Sequence, residues 1–167
     1  MEHTKGRSTD EERAAMGADL DQVDVAMLDL LQEDGRASIA QLGRDLGLSH
    51  STVTERLRRL RERGVLQGVA AKVDLTALGL SIEAVVRVAT FPRSATAFVT
   101  WARDCPNVLW CAHVMGEDCF VLHLTCRTVP DLEELLGRLG TYGTTSSSLV
   151  LSTPIERRGA GLKRLGV

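Results

Sequence analysis

Only Leu48 separates Gly47 from Ser49, and this tight glycine turn falls between two stretches of helical apolar spacing. Before it, Ile39, Leu42 and Leu46 form a stripe, with Ser38 and Gln41 as an S-x-x-Q capping box. After it, Val53, Leu57 and Leu60 recur at i, i+4 and i+7 until Gly64, with Ser49 as the N-cap. Two short helices joined this way make a helix-turn-helix. A further helix precedes them, from the Asp21 cap through Leu20, Asp24, Met27, Leu28 and Leu31 to a stop at Gly35.

Charge follows the same division. The 20 Lys and Arg against 22 Asp and Glu give a net charge of −2, which by itself points to neither nucleic acid nor an anionic membrane. The basic excess is instead concentrated in Arg56, Arg58, Arg59, Arg61 and Arg63, a density suited to phosphates and equally to a solvated helix face. At about 100° per residue, the face opposite Val53, Leu57 and Leu60 presents Ser51, Thr52, Glu55, Arg58, Arg59 and Glu62. Short polar groups at the start and guanidinium groups further along suit a recognition helix in the major groove of double-stranded DNA. The candidate DNA contacts are Ser51, Thr52, Glu55, Arg56, Arg58 and Arg59, with Thr52 and Glu55 alternatively capping one another. The β-branched and small residues from Val65 to Val73 read as a short wing or hairpin.

The second half changes period. Ile82–Ala89 reads as a strand, Ala97, Phe98, Trp101 and Ala102 as a helix, and Val108–Met115 and Cys119–Cys126 as strands around a Gly116-Glu117-Asp118 turn. Leu132, Leu135, Leu136 and Leu139 mark a helix, and Ser146–Pro154 a last strand. The order βαββαβ is that of a ferredoxin-like unit, so the fold class is α+β. Helices cover one face of such a sheet, and a second copy of the chain is the simplest cover for the other. The divisions are a tail at 1–18, a winged helix-turn-helix at 19–72, a linker at 73–80, a ferredoxin-like domain at 81–156 and a basic tail at 157–167. Arg157, Arg158, Lys163 and Arg164 in that last tail read as solvated. Cys105, Cys111, Cys119 and Cys126 contain no C-x-x-C pair and read as reduced thiols. No run approaches the roughly 18 apolar residues of a membrane span, so the expectation is a soluble, cytoplasmic protein with no membrane partner.

Leu20-Asp21-x-x-Asp24-x-x-Met27-Leu28-x-x-Leu31-Gln32-x-Asp34-Gly35-Arg36, Gly47-Leu48-Ser49, Val53-x-x-Arg56-Leu57-x-x-Leu60 and Gly64-Val65-Leu66-x-Gly68 resemble the DNA-binding domain of Lrp/AsnC transcriptional regulators. Leu78-Gly79-Leu80 and the Met115-Gly116 turn resemble that family's effector-binding RAM domain. The resemblance covers roughly residues 19–156 and implies a homodimer, often built into tetramers to octamers. Such a protein binds promoter DNA and responds to an amino acid or related small molecule, without a cofactor. It implies an effector site at Met115, Gly116, Glu117, Asp118 and Ser147, with Tyr142 nearby. Two positions depart from the family pattern: His50 stands where proline commonly opens the recognition helix, and Cys119 where an acid is usual in the hairpin.

Two other chemistries compete. If the strands flanking the turn pair about Glu117, then Cys111, His113, Cys119 and His123 share one face, a donor set for zinc or another soft metal, or else an interface packed by ordinary side chains. Siroheme decarboxylases resemble the same fold and rely on histidines in the second domain. They show an Arg-Arg-Ile-Gly-like segment where this chain has Leu66-Gln67-Gly68, so His113 and His123 alone speak for an enzyme and the expectation is a non-catalytic protein.

Overall fold

The computed structural model describes residues 20–156 and 159–166. They divide into two compact units, one formed by the residues up to Ala71 together with those from Glu156 onward, the other by Lys72–Ile155. The 1–18 tail, Arg157 and Arg158 lie outside the described residues.

In the first unit, α1 (Gln22–Glu33), α2 (Ile39–Leu46) and α3 (His50–Glu62) enclose Met27, Leu28, Leu42, Val53, Leu57 and Leu60. Each start is capped as the sequence indicates: Asp21 accepts from the Asp24 N–H, Ser38 from Gln41 and Ser49 from Thr52. The box at α2 is only half formed, because the Gln41 side chain bonds to Asp45 and Arg44 instead of reaching back to the cap. Gly47 ends α2 at φ 67°, a left-handed conformation that glycine adopts without strain from a Cβ. Gly43 permits the close turn, since a Cβ there would lie 2.9 Å from the Leu48 carbonyl oxygen.

No wing hairpin forms. Residues 67–74 have no regular secondary structure, and Val69 and Val73 are exposed. β-branched composition favours extended backbone, but a strand needs a partner ladder, and none is present among the described residues of the unit. The 73–80 stretch holds a single 3₁₀ turn, Thr76–Leu78, closed by Gly79.

The second unit is β1 (Ile82–Thr90), α4 (Ala95–Asp104), β2 (Val108–His113), β3 (Phe120–Cys126), α5 (Val129–Gly140) and β4 (Gly143–Leu149). The sheet order is β2-β3-β1-β4 with every neighbouring pair antiparallel, the ferredoxin-like topology. Ala84, Val86 and Val88 of β1 and Phe120, Leu122 and Leu124 of β3 pack with Phe98, Ala102, Leu132, Leu135 and Leu139 of the two helices. β4 begins at Gly143 and ends at Leu149, earlier than the expected Ser146–Pro154. The reason lies in β1: Thr90 pairs with Gly143, where a Cβ would sit 2.2 Å from the Ala89 carbonyl oxygen, so only glycine opens the strand there. The opposite sheet face carries Glu83, Val85, Arg87, Val121, His123, Ser146 and Ser148, and no helix of the unit covers it.

A last short helix, α6 (Leu162–Leu165), belongs to the first unit and packs against α1. The described part of the basic tail is therefore docked through Leu162, while Lys163 and Arg164 stay exposed to solvent as expected.

Candidate nucleic-acid interface and effector hairpin

Arg56 is drawn away from the exposed face of α3. Its Nη1 donates to Asp21 Oδ2 and Asp24 Oδ1, both at 2.7 Å, and the Asp24 side chain is only 5% exposed. Arg56 thus fastens α3 to the start of α1, so its guanidinium is engaged within the helical unit and is not presented on the open face with Arg58 and Arg59. The reason is burial: Asp24 faces the helix core, and a buried carboxylate needs a cation or donor beside it. The two aspartates hold the guanidinium above its usual pKa, and the Asp24 backbone N–H, with Arg56, holds the Asp21 carboxyl below its own.

The other candidates remain on the open side. Arg58 is forked between Glu55 and Glu62 of the same helix, and Glu55 is held below the usual carboxylate range chiefly by the Arg58 hydrogen bond. Glu55 and Thr52 do not cap each other. Thr52 and Ser51 instead bond through their hydroxyls to Ser49, at 2.8 and 3.0 Å, so the first turn carries a linked hydroxyl cluster. Arg59 is exposed and makes no ion pair among the described residues. Arg61, part of the basic run but not among the candidate DNA contacts, lines an open groove with Gly64, Leu66, Gln67 and Gly68 at the C-terminal end of α3. Its place in the arginine run was the available signal.

The hairpin between β2 and β3 closes through the Val114 N–H to the Cys119 carbonyl at 2.9 Å, and Cys119 donates in turn to the Val88 carbonyl. Gly116 takes φ 139°, reached readily only by glycine, and Met115 is fully exposed. Asp118 Oδ2 lies 3.5 Å from Arg87 Nε, and Arg87 Nη2 donates to Ser146 Oγ at 3.3 Å. Ser147 pairs with Val86, so its side chain belongs to the opposite sheet face from Arg87. The hairpin acid therefore meets Arg87, which in turn bonds Ser146, while Ser147 points to the other face of the sheet. Arg87 was invisible to sequence reasoning because its neighbours come from two other strands and a turn.

The metal constellation does not form. Cys111 pairs with Leu122 and His113 with Phe120, a register one residue away from pairing about Glu117. A one-residue slip exchanges the faces of a strand, so Cys111 and His113 lie on the helix side and His123 on the other. His113 stacks on Phe120 with ring centroids 4.7 Å apart, while His123 Nε2 sits 2.9 Å from Glu83 Oε2. Among the described residues no cluster of three or more His, Cys, Asp or Glu is placed to hold a metal ion. The same split separates the two histidines that an enzyme reading required.

The AsnC-type helix-turn-helix domain matches residues 20–61, and the Lrp/AsnC ligand binding domain matches residues 83–160. The chain belongs to the Lrp/AsnC family. It is a transcriptional regulator with a DNA-binding helix-turn-helix and a ligand-binding domain, and not an enzyme. The regulator is similar to the transcriptional regulator LrpC of Bacillus subtilis, with 28% identity over 85% of this chain and 99% of that one. The solved LrpC structure superposes with a TM-score of 0.79. LrpA of Mycobacterium tuberculosis is 33% identical over 83% of this chain and 94% of its own, and its crystal structure gives a TM-score of 0.74. The feast or famine regulatory protein Rv3291c of M. tuberculosis, in its complex with L-methionine, is 33% identical over 84% of this chain and 98% of that one, with a TM-score of 0.77.

Proposed function

We propose that this regulator reads an operator with Ser51, Thr52, Glu55, Arg58 and Arg59 of α3 and switches in response to an α-amino acid bound at the β2–β3 hairpin. The observation that carries the effector half is the Arg87–Asp118 pair beside Gly116. A zwitterionic amino acid needs an acceptor for its ammonium and donors for its carboxylate. Asp118 supplies the first, Arg87 and the hairpin N–H groups the second, with Met115 and Glu117 beside them. The L-methionine bound by Rv3291c supports this class of effector.

The uncovered sheet face, with Val85 39% and Trp110 40% exposed, supports a homodimer in which two such faces pack, and tetramers to octamers as its multiples. Two recognition helices related by the dimer axis then meet half-sites roughly 34 Å apart. Among the described residues no helix is long and apolar enough to cross a membrane, which agrees with a cytoplasmic protein.

Fluorescence anisotropy with the duplex upstream of the regulator's own gene, against a scrambled duplex at two salt concentrations, tests the reading. Preferential, salt-sensitive binding that shifts with an added amino acid is the expected result. Equal binding to both duplexes refutes operator recognition at that site, and binding unaltered by all twenty amino acids refutes the effector assignment.

A further inference from the structure

α6 is held to α1 by several independent contacts. The Asp29 carboxylate accepts from the backbone N–H groups of Leu162 at 3.0 Å and Lys163 at 3.3 Å, capping the short helix from outside. The Gln32 side-chain amide donates to the Ala160 carbonyl at 3.0 Å. Leu162 packs against the hydrophobic core of α1–α3. Gly159 passes so close to α1 that a Cβ there would lie 2.4 Å from the Gln32 Oε1. Asp29 and Gln32 share one stripe of α1 with Val25, which is 5% exposed, so a single helix face offers an apolar group, an acceptor and a donor.

This helix lies beyond the matched ligand-binding domain, which ends at residue 160, and beyond the helix-turn-helix match, which ends at 61. It also changes the charge of the unit it joins. Residues 20–71 carry seven arginines against eight carboxylates, and segment 159–166 brings Lys163 and Arg164 with no acid.

We infer that the Val25–Asp29–Gln32 stripe of α1 is a docking surface for segment 159–166, which serves as a fourth helix of the DNA-binding unit. Docking stabilises α1 on its outer side and adds two cations, Lys163 and Arg164, to the DNA-binding unit.

Full-length protein carrying Leu162→Asp tests the inference, beside a Lys163→Ala/Arg164→Ala variant that keeps the docking contacts. In the wild type, the Leu162 and Lys163 amides exchange slowly and trypsin cuts poorly after Lys163 and Arg164. Leu162→Asp raises exchange and cleavage there by about tenfold or more, lowers the melting temperature, and weakens binding to a mixed-sequence duplex several-fold, while the Met27 and Leu28 amides stay protected. The double alanine variant keeps the protection of the Leu162 and Lys163 amides but weakens duplex binding and flattens its salt dependence. Wild-type amides at 162 and 163 exchanging at open-chain rates overturn the docking. Undocking that leaves both melting and duplex affinity unchanged overturns the fourth-helix role. Failure of the wild type to bind any duplex counts against the operator reading instead, and the exchange measurement still decides the docking.

Discussion

Arg56 Nη1 sits 2.7 Å from Asp24 Oδ1 and ties the middle of the recognition helix to the first turn of α1. The pair is the interior counterpart of the arginine run: identical side chains two and three residues further on face solvent. Removing Arg56 leaves Asp24 buried without its cation, a loss that is far greater than the value of the pair itself. Arg56→Ala is expected to cost about 2 kcal/mol of unfolding free energy, with DNA affinity falling only as the folded fraction falls. Urea unfolding beside duplex titration measures both. A double-mutant cycle with Asp24→Asn then gives strong coupling.

Arg59 and Glu55 act in opposite directions on DNA. Arg59→Ala leaves the melting temperature unchanged, weakens binding and lowers the salt slope by about one. Glu55→Gln frees one side of the Arg58 fork and removes a negative charge from the surface that meets phosphates, so non-specific duplex binding tightens. Anisotropy titrations across a salt series read both changes, and an Arg59→Ala protein with the wild-type slope places this helix face away from the duplex.

Asp21 makes stability depend on acid. Its folded carboxyl titrates below the usual value because the Asp24 N–H and Arg56 favour the charged form. Its contribution is therefore complete above the unfolded pKa of about 3.9 and fades as pH falls through the lower folded value. Unfolding midpoints followed from about pH 6 down to about pH 2 decline less steeply below about pH 4 in Asp21→Asn than in the wild type.

Thr125 is 2% exposed, and its hydroxyl is the buried side-chain oxygen without a hydrogen-bond partner among the described residues. Valine keeps the shape and removes the unpaired group. Thr125→Val is expected to raise stability by up to about 1 kcal/mol, against the usual loss for a substitution in the core. Thermal melts of the two proteins decide it.

His113 and His123 lie on opposite faces of the sheet, so zinc cannot bridge them without unpairing the strands. Millimolar chelator and stoichiometric zinc leave the melting temperature unchanged, and His113→Ala and His123→Ala effects add without coupling. A zinc-dependent rise in melting temperature, lost in either variant, points to a site formed by other means.

The helix-turn-helix was legible because its signals are local. Asp21, Ser38, Ser49 and Gly47 each act within one turn of where they stand, and the Val53–Leu57–Leu60 stripe needs only a period of 3.6. The βαββαβ order was legible for the same reason, as each element carries its own period. The Gly116 hairpin was equally local, with Met115, Gly116, Glu117 and Asp118 adjacent in the chain.

Tertiary structure alone decided the rest. Strand register is a long-range choice, and one residue of difference moved Cys111 and His113 to the face away from His123. The partner of a charge is also a long-range fact: Arg56 meets Asp24 across 32 positions, Arg87 meets Asp118 across strands, and Asp29 caps a helix 133 positions away. Composition places a cation at each of these sites with equal ease. Only the packing of the helices and the register of the sheet determine which one is buried against a carboxylate and which one is left facing water.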